Sequence, residues 1–167
     1  MDRVLTHCAH CFNTLRNEYA DLGAHFDVVH HATFIRELID SGAITPQQLP
    51  AETLTLHDAC YVGRLNGGVE APRAVLRSIP GASLQEMKRS GDQAACCGAG
   101  GGNYWYDVPR REKIGAMRVR EAEETRAGLL VTECPFCLKM LDDSRGSMQV
   151  RDIAEIVADS LREAPAS

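Results

Sequence analysis

Positive charge is in short supply in this chain. Against 18 lysines and arginines stand 23 aspartates and glutamates, a formal net charge of −5, so no nucleic-acid partner and no anionic membrane surface is expected. Long apolar runs are missing as well. The longest compact one is Ala127 to Val131, far below the roughly 18 residues needed to span a bilayer. The opening Met1-Asp2-Arg3-Val4-Leu5-Thr6 carries no secretory apolar region. Low-complexity tracts are absent apart from the tail Ala-Pro-Ala-Ser at 164–167. Cysteine, at 7 of 167 residues or about 4%, falls short of the roughly 8–10% that marks a small disulfide scaffold. The resulting expectation is a cytoplasmic chain of about one domain, whose 44% hydrophobic residues suffice for a core of its own.

What is present is an alternation of short strands and helices. Phe26 to His30 reads as a strand, and Thr33 to Asp40 as a helix whose Phe34, Ile35, Leu38 and Ile39 share a face. Thr53 to His57 alternates and is rich in β-branched residues, as a strand should be. Pro72 opens a helix through Ser78, and Ser83 to Met87 forms a weaker strand. Pro109 suits the first position of a helix running to about Arg126, with Gly115 an oddity inside it. Leu129 to Thr132 reads as a buried strand, Met148 to Val150 as another, and Ile153 to Leu161 as a final helix. This order predicts an α/β fold: a mostly parallel, Rossmann-like sheet flanked by helices.

The chain also repeats itself. Val4 to Leu15 parallels Leu130 to Leu141 at a constant offset of 126, matching Thr6 with Thr132, Cys8 with Cys134, Cys11 with Cys137 and Leu15 with Leu141. Two such CxxC-bearing strand–turn–helix units point to a duplication. We therefore read residues 1–50 as the trailing CxxC unit and strand–helix of a preceding repeat, and residues 51–163 as one complete cysteine-rich domain.

The chemistry lies in the cysteines. Cys60 is followed by 35 residues, then Cys96-Cys97, then 36 residues, then Cys134-x-x-Cys137. In an open parallel sheet, loops leaving the carboxyl ends of strands converge on one crevice. Clustered cysteines in a chain that needs no disulfides point to metal or redox chemistry. One zinc takes four ligands, and adjacent cysteines chelate a single tetrahedral ion poorly. Five soft thiolates better match a multi-iron cluster. The run Cys97-Gly-Ala-Gly-Gly-Gly-Asn103 lets backbone approach a bulky group.

Blander readings compete: buried structural thiols, a zinc site in the same pocket, or a thiol–disulfide exchanger at Cys134-Pro-Phe-Cys137. The glycine run is neither a Walker loop nor a dinucleotide fingerprint. His57 and His7 flank cysteine turns and are expected to be solvent-facing or hydrogen-bonded histidines at strand ends rather than proton donors. His30-His31 is discounted as a metal pair because neighbours on a strand face opposite ways. Arg110 to Lys113 and Arg118 to Arg126 read as a solvated helix face.

The wording His57-Asp-Ala-Cys60, Cys96-Cys-Gly-Ala-Gly-Gly-Gly102 and Cys134-Pro-Phe-Cys137, with Cys8-Ala-His-Cys11 before it, resembles the cysteine-rich CCG domain. That domain occurs, usually as a tandem pair, in the B-type and D-type components of heterodisulfide reductase and in the iron–sulfur subunits of glycolate and lactate oxidation systems. The wording is most similar to the long membrane-anchored heterodisulfide-reductase-like reductases of bacteria. The resemblance implies that Cys60, Cys96, Cys97, Cys134 and Cys137 hold a noncubane [4Fe-4S] cluster, and that Cys8 and Cys11 belong to an incomplete second site. Ala9 and Ala59 depart from the family by standing where proline is common. It further implies an oxidoreductase module carrying electrons to or from a disulfide or a quinone-linked acceptor. Its partners would be a preceding CCG and ferredoxin-like part of the same protein, a flavin or electron-transfer subunit, and a quinone. The full-length protein would sit at the cytoplasmic face of the membrane, and the fragment alone would be inactive. The alternative is a structural zinc or thiol module that docks subunits, with zinc or no metal in the isolated chain.

Overall fold

Every strand pairing among the described residues is parallel, which forces each strand to return by a crossover and places helices over the sheet faces. The computed structural model describes residues 3–106, 109 and 112–161. Strand β1 (Val4–Thr6) pairs with β2 (Val28–His30) as a two-stranded sheet. A four-stranded sheet has the order β4-β3-β5-β6, from β3 (Glu52–His57), β4 (Ala82–Leu84), β5 (Leu129–Thr132) and β6 (Gln149–Asp152). The α-helices among the described residues are α1 (Ala9–Asn13), α2 (His31–Asp40), α3 (Cys60–Asn66), α4 (Glu70–Arg77), α5 (Ile114–Glu123), α6 (Pro135–Asp142) and α7 (Ile153–Ser160). The parallel α/β class is therefore as expected.

Side-chain alternation sorts the core onto two faces. Leu54 and Leu56 of β3 and Leu129 and Val131 of β5 pack with Val75 and Leu76 of α4 and with Ile153, Ile156 and Val157 of α7. Leu130 and Val150 face the other way, toward Val119 and Ala122 of α5 and Leu141 of α6. Each fully buried Leu or Ile stabilises the fold by about 1.5–3 kcal/mol over an exposed one. The period-2 and period-3.6 patterns thus meet in one layered arrangement.

Several boundaries differ from expectation. The helix predicted from Pro109 starts at Ile114 and ends at Glu123, while Arg110 and Arg111 lie outside the described residues. Its second residue explains the odd glycine: a Cβ on Gly115 would lie 2.6 Å from Ser144 Oγ and 2.8 Å from the Met140 carbonyl. Helix α3 is unforeseen, because Cys60-Tyr-Val-Gly-Arg-Leu-Asn is short and glycine-interrupted. The expected solvated face of α5 fails at two positions. Arg118 is fully buried and Glu121 is buried beside it, because the two pair with each other and Arg118 also bonds His57 at the end of β3. Nor do His30 and His31 alternate along a strand, since His30 ends β2 and His31 begins α2.

The sequence repeat has a structural counterpart. The order β1, Cys8, α1, β2, α2 recurs as β5, Cys134, α6, β6, α7, with parallel pairing in both. His31, at the start of α2, bonds Asp152 at the start of α7 (3.0 Å). His30 beside it is buried. Burial, and next the neighbouring His31, hold its imidazole down at about 3, partly opposed by Asp152. A folded-state value below the unfolded one near 6.5 means that the unfolded chain binds the extra proton. Stability contributed this way is present above about pH 6.5 and drains as pH falls toward 3. Urea unfolding from pH 8 to pH 4 should therefore show an acid-side loss that His30→Phe reduces; an equal loss in both proteins would contradict this account.

Candidate metal centre

Three chain turns deliver the five predicted cysteines, and the hydrogen-bonded register of the sheet sets where they meet. His57 of β3 lies opposite Thr132 of β5, so the turns that follow these strands are neighbours. Cys60 is the first residue of α3. Cys134 caps the N-terminus of α6, Pro135 occupies the first turn, and Cys137 lies within it. Proline suits this position because the amide it lacks has no intrahelical partner there. Cys96 and Cys97 arrive on the long connection between β4 and α5.

The five line a single cavity, together with Ala59, Tyr61, Ala99 and Gly100, and with Ala9 and His10 from the first unit. Cys97, Cys134 and Cys137 are buried, whereas Cys60 and Cys96 are half-buried. The Cys97 and Cys137 sulfurs lie within 4.8 Å of each other, and neighbouring thiols act on one another in the order Cys60, Cys96, Cys97, Cys137, Cys134. Their charges are strongly unequal. Hydrogen bonds from Cys60 and Cys97, with the Gly98 amide assisting, pull the Cys96 thiol far down. Cys137, with His10 assisting, brings Cys134 to about 4 against the opposing effect of burial. At Cys97 the bond from Cys137 lowers the value, but Cys96 and burial outweigh it and leave the thiol at about 12. Cys134 and Cys97 push Cys137 well up, and Cys96, then burial, does the same to Cys60. Five thiolates crowded together repel, so a cation is what would let the remaining three ionise. In donor chemistry the set fits a soft, multi-iron centre.

The walls are prepared for close approach. The Gly98 amide donates to Cys96 Sγ (3.2 Å). Gly98 has φ of +95°, and a Cβ there would meet Ile114 Cβ at 3.0 Å. Tyr61 and Phe136 flank the His10 ring at 4.4 and 5.1 Å between centroids. Cys8 and Cys11 are not among the residues lining that cavity; Cys8 Sγ accepts from the Cys11 amide (3.4 Å). Burial, opposed by that amide, raises Cys8 to about 11.

Buried polar and charged groups hold the turns in place, and most of them carry no sequence motif. Asp58, two residues before Cys60, accepts from Arg73 at 2.6 and 3.0 Å and from the Gly91 amide at 2.7 Å. Arg73 also grips Glu86 and the Val69 carbonyl. Glu133, beside Cys134, accepts from the Ala59 amide at 2.8 Å and so ties two cysteine turns together. Arg118 donates to His57 Nδ1 (3.0 Å) and to the Arg89 carbonyl (2.9 Å), and pairs with Glu121. His57 is thus a buried, hydrogen-bonded strand-end histidine, as expected, and burial followed by Arg118 holds it down at about 3. One ring nitrogen of His57 lies within 4.8 Å of the Cys97 and Cys137 sulfurs. A signal for Arg118 existed: residues 115, 118, 119 and 122 share one helical face with small and apolar neighbours.

Two stability effects follow. Arg73→Met leaves the Asp58 carboxylate buried without its counter-ion and should cost about 3–5 kcal/mol in chemical denaturation. Gly115→Ala drives a methyl into Ser144 and Met140 and should cost about 1–3 kcal/mol. A Gly115→Ala protein as stable as the parent would mean that α5 shifts freely.

The same cysteine arrangement relates the chain to known proteins. Residues 54–142 match the model of the CCG cysteine-rich domain. The chain is 42% identical, over 98% of its length, to a probable membrane-anchored ferredoxin of Chromohalobacter salexigens. It is 36% identical over 95% to the probable iron-sulfur-binding oxidoreductase FadF of Bacillus subtilis. It is 38% identical over 95% to a subunit of the dihydromethanophenazine:CoB--CoM heterodisulfide reductase of Methanosarcina barkeri. It spans only 26%, 23% and 41% of those three relatives, respectively. The match covers both the β3 and β5 turns and every cysteine of the pocket, and on it the chain belongs to the cysteine-rich CCG domain family.

Proposed function

We propose that Cys60, Cys96, Cys97, Cys134 and Cys137 hold an iron–sulfur cluster, and that the chain is an electron-carrying module of a larger oxidoreductase. The observation that carries this reading is that five cysteines, drawn from three turns, line one cavity. A bound cluster would supply one-electron chemistry, with a noncubane [4Fe-4S] arrangement suited to five ligands rather than four. The protein's part is to hold the thiolates, to keep water from Cys134 and Cys137, and to offer backbone amides such as that of Gly98 to the sulfurs.

The names of relatives extend the reading. One relative is a heterodisulfide reductase component, and another, 31% identical, is an EtfAB:quinone oxidoreductase of Syntrophomonas wolfei. We infer that this module passes electrons between a flavin-bearing electron-transfer protein and a quinone-linked or disulfide acceptor. Its immediate partner would be the preceding CCG and ferredoxin-like part of the same protein, to which residues 1–50 would belong as the end of a first repeat, with Cys8 and Cys11 completing a second site. No helix among the described residues is long and apolar enough to cross a membrane. Attachment to the cytoplasmic face would therefore come from outside these residues, in keeping with a relative named as membrane-anchored.

Anaerobic reconstitution with iron and sulfide, followed by metal analysis and EPR, tests the proposal. The expected outcome is about four irons per chain and a signal abolished in Cys96→Ser and Cys97→Ser but kept in Cys8→Ser. One zinc per chain, no iron, and no dependence on Cys97 would replace it with the subunit-docking zinc module.

A further inference from the structure

The His57 ring has one nitrogen committed and one spare. Arginine carries only donors and does not deprotonate in proteins, so the Arg118 Nε bond requires a lone pair on His57 Nδ1. The ring proton of this tautomer is therefore on Nε2. That nitrogen is buried and has no hydrogen-bond partner among the described residues. His57 as a whole is 1% exposed, and Arg118 is 0% exposed. A buried N–H without an acceptor is costly, so its presence calls for an acceptor at that point. Sulfurs are close by: one ring nitrogen of His57 lies within 4.8 Å of Cys97 and Cys137 Sγ.

We propose that His57 donates its Nε2–H to a sulfur of the iron–sulfur centre held at Cys97 and Cys137, and that Arg118, by fixing the tautomer, makes this donor a determinant of the centre's reduction potential. The inference rests on the reading of the five cysteines as cluster ligands. One-electron reduction adds one negative charge to the centre, with no bond made or broken. An N–H···S bond strengthens with that added charge, so it favours the reduced state and raises the potential. Arg118 is a positioning residue here, and Glu121 and the Arg89 carbonyl hold it in turn. A histidine that ligated iron through Nε2 would need a lone pair there, which this tautomer lacks. The arrangement also explains why an arginine is buried beside a metal pocket. Its charge is neutralised by Glu121, and its Nε–H is aimed at the histidine.

The test is a redox titration, monitored by EPR, of the cluster-loaded full-length protein, together with nitrogen couplings measured after 15N-histidine labelling. Weak nitrogen coupling at the centre that depends on Cys96 and Cys97, lost in His57→Gln, is expected. His57→Leu should lower the midpoint potential; a tenfold weaker preference for the reduced state would read as about 59 mV in a one-electron couple. Arg118→Met should lower it in the same direction, and Arg118→Lys, which keeps one donor, less so. An unchanged potential in both His57→Leu and Arg118→Met overturns the inference while leaving the cluster reading intact. Strong coupling typical of a directly bound nitrogen, or loss of the centre with such coupling in the parent protein, overturns it in favour of His57 as a ligand. Absence of any Cys97-dependent signal in the parent overturns the cluster reading itself.

Discussion

The pairing of β3 with β5 governs the rest of the molecule. Four residue pairs, Leu54 to His57 against Leu129 to Thr132, run in parallel register. Both strands therefore end at the same level, and the turns that carry Cys60 and Cys134 emerge side by side. An antiparallel pairing would send them to opposite ends of the sheet. The Glu133–Ala59 bond then fixes the two turns against each other, and Thr132 Oγ1 adds a bond to the His57 carbonyl at 3.3 Å. With that frame set, the glycine-rich connection needs only to deliver Cys96 and Cys97 over the gap.

Two charged networks, each with a buried arginine, support this frame. Asp58, Arg73 and Glu86 clamp the turn after β3 to α4 and to the backbone near Gly91. Glu121, Arg118 and Arg89 run from α5 toward the same strand end. A long connection rich in glycine loses much conformational entropy on becoming ordered. Charged contacts at Gly91 and at the Arg89 backbone anchor the segment that leads into Cys96, while Gly98 and Gly115 let it lie flat against α5 and α6.

The meeting of five cysteines at one cavity and the parallel α/β class were legible because both are written as spacing. Thr53 to His57 and Leu129 to Thr132 alternate or run apolar over the length of a strand, and the cysteines follow within three residues. The charged clamps were not legible, because arginine, aspartate and glutamate are exposed far more often than buried. Their partners also stand 15, 61 and 74 positions apart, distances no local pattern reaches. Helix α3 hid for a related reason: Gly63 breaks its apolar face, and it is there because Val69 and the Gly91 carbonyl approach to 3.3 and 3.4 Å of where a Cβ would stand. The end of α5 was overestimated where Thr125 and Arg126 turn out of the helix, Arg126 with φ of +59°.

The ring of His10 spans the seam between the two repeated units, standing against Tyr61 and Phe136 and lining the same cavity as the five thiols. Under the 126-residue offset, Phe136 is the counterpart of His10 itself. The boundary of the chemistry thus fails to coincide with the boundary of the repeat. A chimera joined near residue 51 would keep all five thiols yet surrender the Ala9 and His10 wall of their cavity.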